Sequence, residues 1–205
     1  MKKLVFLLVI CQVMFLTSIV SNAQNELTKI ERKKAIDHLK SSQTDLLRTV
    51  KGLSEDQLNF KSSEESWSIA ECMEHLAISE TALFGLAQQS LQEEADPSKR
   101  SGLPFSDDQV LALITDRSQK VKTQAPFEPK GNFGSYQGSV DEFKTKRKSN
   151  IKYVKSTTDD LRNHYFEFPF GLVDSYQVVL FMSGHSVRHT KQIKEIMAQE
   201  SFPKS

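Results

Sequence analysis

Helical periodicity of apolar residues constrains the fold of this chain more than any other feature of its sequence. In five segments, apolar residues recur at the three- and four-residue spacings that form one face of a helix, whereas strand-like alternation is scarce. Capping boxes of the form Ser-x-x-Glu or Ser-x-x-Gln begin three of these segments, at Ser68, Ser106 and Ser139. Helix following helix predicts an all-α fold, a bundle of four main helices with one or two minor turns.

The same pattern gives approximate bounds for each segment. The predicted elements are a helix over about Asn25–Lys51, a capped turn at Ser54–Gln57, a helix from Ser68 to about Leu91, a helix from Ser106 through Val121, a surface loop at Pro126–Gly138, a helix from Ser139 through Leu161, a turn at Pro169–Gly171 and a last helix over about Asp174–Gln199. Trp67, one residue before the Ser68 cap, is placed to pack on Cys72.

The first residues of the chain differ from the rest. Lys2 and Lys3 precede an almost unbroken apolar run that ends at Ser21-Asn22-Ala23. Charged, apolar and small residues in this order are typical of a secretory signal peptide. We therefore expect residues 1–23 to be cleaved and residues 24–205 to form one exported domain, either periplasmic or secreted.

The two cysteines of the sequence offer little covalent chemistry. Ile10 precedes Cys11, where lipoprotein processing requires a small residue, so we do not expect a lipid anchor. Cleavage after Ala23 would remove Cys11 and leave Cys72 as the only thiol. A single cysteine cannot form an intramolecular disulfide, and Cys72 is most simply a small buried apolar residue.

The charge balance limits the classes of partner. The chain has 27 Lys and Arg against 26 Asp and Glu residues, and loss of Lys2 and Lys3 would tip this balance slightly toward acidic. A nearly neutral chain attracts phosphate backbones and anionic lipids weakly over distance, so we expect no nucleic-acid partner. After the leader, no apolar run is long enough to span a bilayer, so we expect no membrane association. A small-molecule substrate is the expected partner, and a homodimer is left open.

His185 and His189 are the most informative polar residues. They lie one turn apart in the last predicted helix, so both side chains leave the same face. At about 100° per residue, this face also carries four apolar residues, Val178, Met182, Ile193 and Ile196. Two interpretations remain open at this point. The rings could share a divalent ion, or they could be core histidines bonded to carboxylates, carbonyls or water.

A third ligand would be needed for a useful metal site. His75 lies at the flank of the apolar stripe of the second helix, where it could reach a neighbouring helix or be an ordinary boundary residue. Together with the pair, His75 is the preferred third ligand, whereas His38 and His164 have no comparable setting. Three histidines with no fourth protein ligand would leave an open coordination position, as in catalytic zinc sites.

Other reaction types have little support in the sequence. It contains no His-Glu-x-x-His, paired Cys-x-x-Cys, Walker or dinucleotide-binding pattern. Glu80 falls near the inward side of its helix and could act as a base, although an exposed or salt-bridged carboxylate is the simpler interpretation. We therefore assign no catalytic residue.

Two separated segments resemble the DinB-like (DinB/YfiT) superfamily. They are Trp67–Glu71 followed by His75-Leu76, and Gly184–His189 followed by Gln192-Ile193. The likeness extends over about Leu27–Ala198. It implies a four-helix bundle with up-down-down-up topology and a divalent metal held by three histidines, which in this sequence are His75, His185 and His189. We expect zinc or nickel, although imidazole suits copper and iron as well.

The resemblance also suggests the range of functions. Some members of the superfamily are thiol S-transferases that use bacillithiol, mycothiol or glutathione, and many others are described as metal-dependent hydrolases without an established substrate. Because low-molecular-weight thiols are mainly cytosolic, the predicted export argues against a transferase. We expect a metal-dependent hydrolase of an unknown small substrate. The alternatives are a thiol transferase, a non-catalytic metal- or ligand-binding module, and a helical interaction protein without metal.

Overall fold

A computed structural model describes residues 25–119 and 121–204 of the chain. The predicted signal peptide, residues 1–23, lies outside these ranges, so its assignment stays a prediction. Within the described ranges, no helix combines the length and the apolar character that crossing a bilayer requires.

Helices make up most of the described structure. In chain order they are α1 (Lys29–Thr49), α2 (Glu55–Asn59), α3 (Ile69–Ser90), α4 (Asp107–Thr115), α5 (Tyr136–Ser156) and α6 (Ser175–Met197). Short 3₁₀ turns occur at Pro97–Gly102 and Ala125–Phe127, and an antiparallel hairpin of β1 (Tyr165–Phe168) and β2 (Gly171–Asp174) precedes α6. The four long helices α1, α3, α5 and α6 form the predicted bundle.

Local capping explains where several helices begin. At Ser54, Ser68 and Ser106, the hydroxyl accepts a hydrogen bond from the third residue of the helix, whose side chain accepts one from the cap in return. These capping boxes confirm the predicted starts of α2, α3 and α4. Asp174 forms the equivalent box at the start of α6, also as expected.

Several details of the predicted secondary structure are wrong. α5 begins at Tyr136 rather than at Ser139, because the hydroxyl of Ser135 accepts from the Gly138 N–H and caps the helix one turn earlier. It ends at Ser156 instead of continuing through Leu161, because the backbone of Thr157 is extended. α4 ends at Thr115 instead of continuing through Val121, which is exposed. The hairpin was not predicted, since each strand has only four residues and presents too little alternation.

Contacts at both ends of α1 and α6 show that these helices run in the same direction. Near the start of each helix, the Tyr176 hydroxyl of α6 donates to the Glu31 carbonyl of α1 at 2.9 Å. Toward the far ends, Lys194 of α6 pairs with Asp45 of α1 at 3.0 Å. The first and last helices of the bundle are therefore parallel.

The two middle helices run the other way. The hydroxyl of Ser90, which ends α3, lies 2.6 Å from the hydroxyl of Ser175, which begins α6. Phe84 of α3 packs edge-on against Tyr153 of α5 with ring centroids 5.1 Å apart, and earlier residues of these two helices meet in the ionic layer described next. The topology is thus up-down-down-up, which confirms the expected fold.

A buried ionic layer separates two apolar layers of the core. Fully buried apolar side chains include Met73, Phe143 and Ile193 on one side and Leu39, Leu161 and Leu180 on the other. Between them, the guanidinium of Arg147 on α5 forms a two-pronged ion pair with the carboxylate of Glu80 on α3, at 2.6 and 2.7 Å.

The remaining donors of Arg147 reach the other two long helices. They contact the Leu39 carbonyl and Ser42 hydroxyl of α1, each at 2.9 Å, and the Ser186 hydroxyl of α6 at 2.8 Å. One side chain therefore connects all four long helices, and it does so without contact with water.

Replacing Arg147 with methionine is expected to destabilise the protein by about 3–5 kcal/mol, because the buried carboxylate of Glu80 would lose its counter-charge. Adding Glu80→Gln should recover part of this loss. Urea unfolding followed by circular dichroism measures both effects. As a control, Lys33→Ala disrupts an ion pair whose side chains are 77% and 57% exposed and should change stability by less than about 1 kcal/mol. An Arg147→Met loss no larger than that of the control would contradict this role.

Candidate metal centre

Three imidazole rings meet between α3 and α6. His185 and His189 lie one turn apart on α6, and the antiparallel packing of the helices brings His75 of α3 opposite them. The Nε2 atom of His185 lies 3.2 Å from Nε2 of His75 and 3.1 Å from Nε2 of His189. The structure brings together the three histidines that the sequence singled out, with one nitrogen of each in a common cluster.

Hydrogen bonds at the opposite ring nitrogens orient two of the rings. Nδ1 of His75 lies 2.7 Å from the carbonyl oxygen of Phe127, and Nδ1 of His189 lies 2.9 Å from the side-chain oxygen of Gln192. Because both partners are acceptors, each neutral ring carries its proton on Nδ1 and presents a lone pair at Nε2. Metal-binding histidines are commonly held by such an outer hydrogen bond.

The spacing of the Nε2 atoms fits a tetrahedral ion. Two nitrogens that each lie 2.0–2.1 Å from a tetrahedral zinc are separated by ~3.3 Å. The Nε2 atom of His185 lies at similar distances, 3.1 and 3.2 Å, from the other two Nε2 atoms. Without an ion, a proton on Nε2 of His185 could satisfy only one of the two facing lone pairs at a time, and the Ser79 hydroxyl approaches Nε2 of His75 only to 3.5 Å. A divalent cation could accept all three lone pairs, so the cluster fits a metal site.

Burial keeps the three rings neutral. Desolvation lowers the pKa of His75 below its ordinary value of 6.5, partly offset by the hydrogen bond to Phe127. Desolvation also places the pKa values of His185 and His189 well below that value, and the neighbouring rings and the guanidinium of Arg188 lower both further. Neutral imidazoles are the form that binds metal.

His185 is the most exposed of the three histidines. Trp67 covers the other two rings, with centroid separations of 4.8 Å from His75 and 6.2 Å from His189. These two histidines are only 5% and 7% exposed, whereas His185 is half-buried. Trp67 also packs on the apolar cluster that contains Cys72, as expected for its place before the helix cap.

Hydrogen bonds and an ion pair hold the segment between α4 and α5 against α6, beside the cluster. Arg188 donates to the backbone carbonyls of Asp116 and Gln119. Arg117 forms a two-pronged ion pair with Glu195, at 2.6 and 2.8 Å, and its third nitrogen lies 3.4 Å from the Gln192 side-chain oxygen. The segment that supplies the Phe127 carbonyl to His75 is thus held on the same helix as the other two rings.

The remaining sequence candidates lie outside the cluster. Glu80 forms a salt bridge with Arg147 in the ionic layer, so it is a salt-bridged carboxylate and not a free base. Cys72 is buried in the apolar core, and burial raises its pKa to about 12, so it remains a thiol. His38 and His164 are half-buried on other parts of the bundle. Among the described residues, the metal-compatible group consists of three histidines without a carboxylate or a thiol.

Sequence reasoning missed the groups that hold the rings in place. Gln192 follows His189 by three residues and therefore shares its helix face, a spacing that could have identified it. Phe127 contributes only a backbone carbonyl from a segment predicted as a surface loop, so its side chain carries no signal. The contact of Trp67 with the rings also depends on how α3 and α6 pack.

Comparison with known proteins places the chain in a family. The family model described as the DinB superfamily matches residues 38–193, about three quarters of the chain. The chain belongs to the DinB superfamily. YuaE of Bacillus subtilis (strain 168), an uncharacterized protein, is 29% identical over 148 residues, which cover 72% of this chain and 87% of YuaE.

A solved structure supports the same fold. YfiT from Bacillus subtilis is described as a probable metal-dependent hydrolase with an unusual four-helix bundle topology. The two structures align with a TM-score of 0.57 over 87% of this chain and 93% of YfiT, at 17% sequence identity. At this identity, the likeness shows the fold.

Stability of the metal-free protein is expected to fall as the pH drops from 7 toward 5. In the unfolded chain, each imidazole titrates near its ordinary pKa of about 6.5, whereas the folded rings resist protonation. Below that pH the unfolded state binds more protons and is favoured. Urea unfolding in the presence of a chelator at several pH values measures this slope.

A variant carrying His185→Gln and His189→Gln is the matched control and should show a shallower slope over the same pH range. Asp174 contributes with the opposite sign, because burial raises the pKa of its carboxyl to about 7 and the folded state then holds its proton more tightly. This contribution is common to both proteins and cancels in the difference. Identical slopes would show that the two rings are not held neutral by the fold.

Proposed function

We propose that this DinB superfamily protein is a metal-dependent hydrolase whose divalent ion is held by His75, His185 and His189. The observation that carries the proposal is the meeting of three Nε2 atoms, of which His185 lies 3.1 and 3.2 Å from the other two. Lone pairs directed at one another in a poorly solvated site are costly unless a cation or a proton lies between them. The description of YfiT as a probable metal-dependent hydrolase supports the same activity.

The donor set bears on the identity and the chemistry of the metal. Three neutral imidazoles suit zinc or nickel, and a site with three protein ligands leaves a position for water or substrate. When bound there, the ion would supply a Lewis acid that lowers the pKa of water from 15.7 toward about 7. Because the protein ligands are neutral, the full charge of the ion would be available to a substrate oxygen.

The neighbouring residues would prepare the site for this chemistry. The Phe127 carbonyl and Gln192 keep the protons of His75 and His189 on Nδ1, so both Nε2 atoms face the ion position. Trp67 excludes water from the side of these two rings. Glu80 is held by Arg147, so we propose no side chain as general base.

The remaining parts of the proposal rest on the sequence. The leader pattern of residues 1–23 supports export to the periplasm or the medium, with residues 24–205 as a single domain. Its substrate would be a small molecule. Export makes a thiol-transferase activity less suited to this member, since reduced thiols are scarce outside the cytosol. The absence of a free carboxylate in the described cluster favours a non-catalytic metal-binding module as the second candidate.

Single replacements of His75, His185 or His189 by alanine are expected to weaken zinc and nickel binding by more than the roughly 10–100-fold typical of losing an outer hydrogen-bond partner. Calorimetric titration and elemental analysis of the purified protein measure this loss. His164→Ala is the matched control and should leave metal binding unchanged, because that ring lies away from the cluster. Unchanged metal content in a triple alanine variant would exclude the site.

Activity separates the hydrolase from the binding module. A panel of esters, amides and phosphoesters should contain a compound that the metal-loaded protein hydrolyses, with turnover abolished by His189→Ala and by a chelator. Tight metal binding without turnover of any compound would favour the module instead.

A further inference from the structure

Five half-buried phenylalanines lie together around the hairpin and α6. They are Phe105, Phe166, Phe168, Phe170 and Phe181, which pack on a small buried apolar cluster. None of the five is fully buried, so together they present aromatic surface to water. Contiguous exposed apolar surface is unfavourable and often marks a binding site.

Three of these rings form an almost parallel cluster next to the candidate metal centre. Phe170 and Phe168 have centroids 5.1 Å apart and an interplanar angle of 8°. Phe181 lies 4.9 Å from Phe168 at 21° and 5.8 Å from Phe170 at 15°, and its centroid is 6.1 Å from that of His185 at 12°. Aromatic surface is thus continuous from the hairpin to the ring of His185.

Local structure explains this alignment. Phe181 precedes His185 by four residues on α6, so both rings leave the same face of the helix. In the hairpin, Phe168 pairs with Gly171, whose φ of +131° suits glycine. At that position a Cβ atom would lie 3.1 Å from Pro104, so the glycine lets the preceding loop pack closely on the strand.

A second apolar wall lies beside His185. A Cβ atom at Gly184 would lie only 2.3 Å from the Ile114 side chain of α4 and 3.6 Å from Leu111. The glycine therefore allows α4 to pack tightly on α6 next to the histidine. Both α4 side chains are half-buried and apolar. Apolar side chains of α4 therefore pack on α6 at the residue that precedes His185.

We propose that Phe181, together with Phe168 and Phe170, forms a substrate subsite that binds an aromatic or apolar group next to the three-histidine centre. The inference rests on the proposed metal site and specifies the substrate class: a small molecule whose metal-binding oxygen atoms lie beside an aryl or similarly apolar substituent. The position of Phe181 beside His185, the most exposed of the three ligands, is the observation that selects this occupant. The three phenylalanines are uncharged, so the subsite would select ligands by their shape and apolar surface.

A pair of metal-binding probes tests the subsite without knowledge of the substrate. Acetohydroxamate and benzohydroxamate present the same two oxygen atoms to a metal and differ in a methyl or phenyl substituent. With zinc-loaded protein, calorimetry is expected to show benzohydroxamate binding about tenfold more tightly, the size typical of one well-packed aromatic contact. Phe181→Leu should remove most of this difference and leave the affinity for acetohydroxamate unchanged.

Phe84→Leu is the matched control, because Phe84 is also half-buried but packs on Tyr153 of α5. It should not change the affinity for either probe. Phe170→Ala, in the hairpin beside Phe181, should weaken benzohydroxamate binding alone and tests the subsite independently if Phe181→Leu unfolds. Thermal unfolding of each variant verifies that it folds.

The outcomes separate this inference from the proposed function. Zinc binding without a preference for the phenyl probe, or without affinity for either probe, would overturn the subsite and leave the metal site intact. Equal loss of both probes in Phe181→Leu would also overturn it, because Phe181 would then support the centre itself. Failure of the wild-type protein to retain zinc would instead contradict the proposed metal site.

Discussion

The ion pair between Arg147 and Glu80 is the interaction on which the rest of the structure depends. Apolar side chains of similar size would allow a helix to shift by one turn along its neighbour. A buried charge with fixed partners prevents such a shift. Arg147 donates to groups on α1, α3 and α6 from its own helix α5, so a shift of any long helix would leave a buried charge or hydroxyl unpaired. Such a layer specifies register, even where its net contribution to stability is small.

The position of the candidate metal centre depends on this register of the helices. Glu80 follows His75 by five residues on α3, and Ser186 follows His185 directly on α6, so the residues that bind Arg147 lie within about a turn and a half of the imidazole cluster. Rings from two antiparallel helices can meet only at one relative height. The fold therefore places the cluster through long-range polar contacts, while the bonds from Phe127 and Gln192 set the orientation of individual rings.

The sequence predicted what depends on local periodicity. The starts of α3, α4 and α6 follow from capping residues within one turn, and the pair His185 and His189 follows from helical spacing. It did not predict features that arise between distant segments. These features require the packed bundle: the Phe127 carbonyl, the contact of Trp67 with two rings, and the parallel aromatic cluster beside His185. The error at Ser139 shows the limit of a local rule, because the hydroxyl of Ser135 caps the helix one turn earlier although its sequence lacks the capping-box pattern.

The prediction of His75 as a ligand has a different basis. Its position at the flank of an apolar stripe, taken alone, left an ordinary boundary residue as the better interpretation. The pair His185 and His189, and then the resemblance to the DinB-like superfamily, favoured a ligand. The most direct test is X-ray absorption spectroscopy of the zinc-loaded protein. Three imidazole nitrogens at about 2.0–2.1 Å from the metal, with an additional light ligand, are the predicted result. Sulfur in the first coordination sphere, or fewer than three imidazoles, would contradict it.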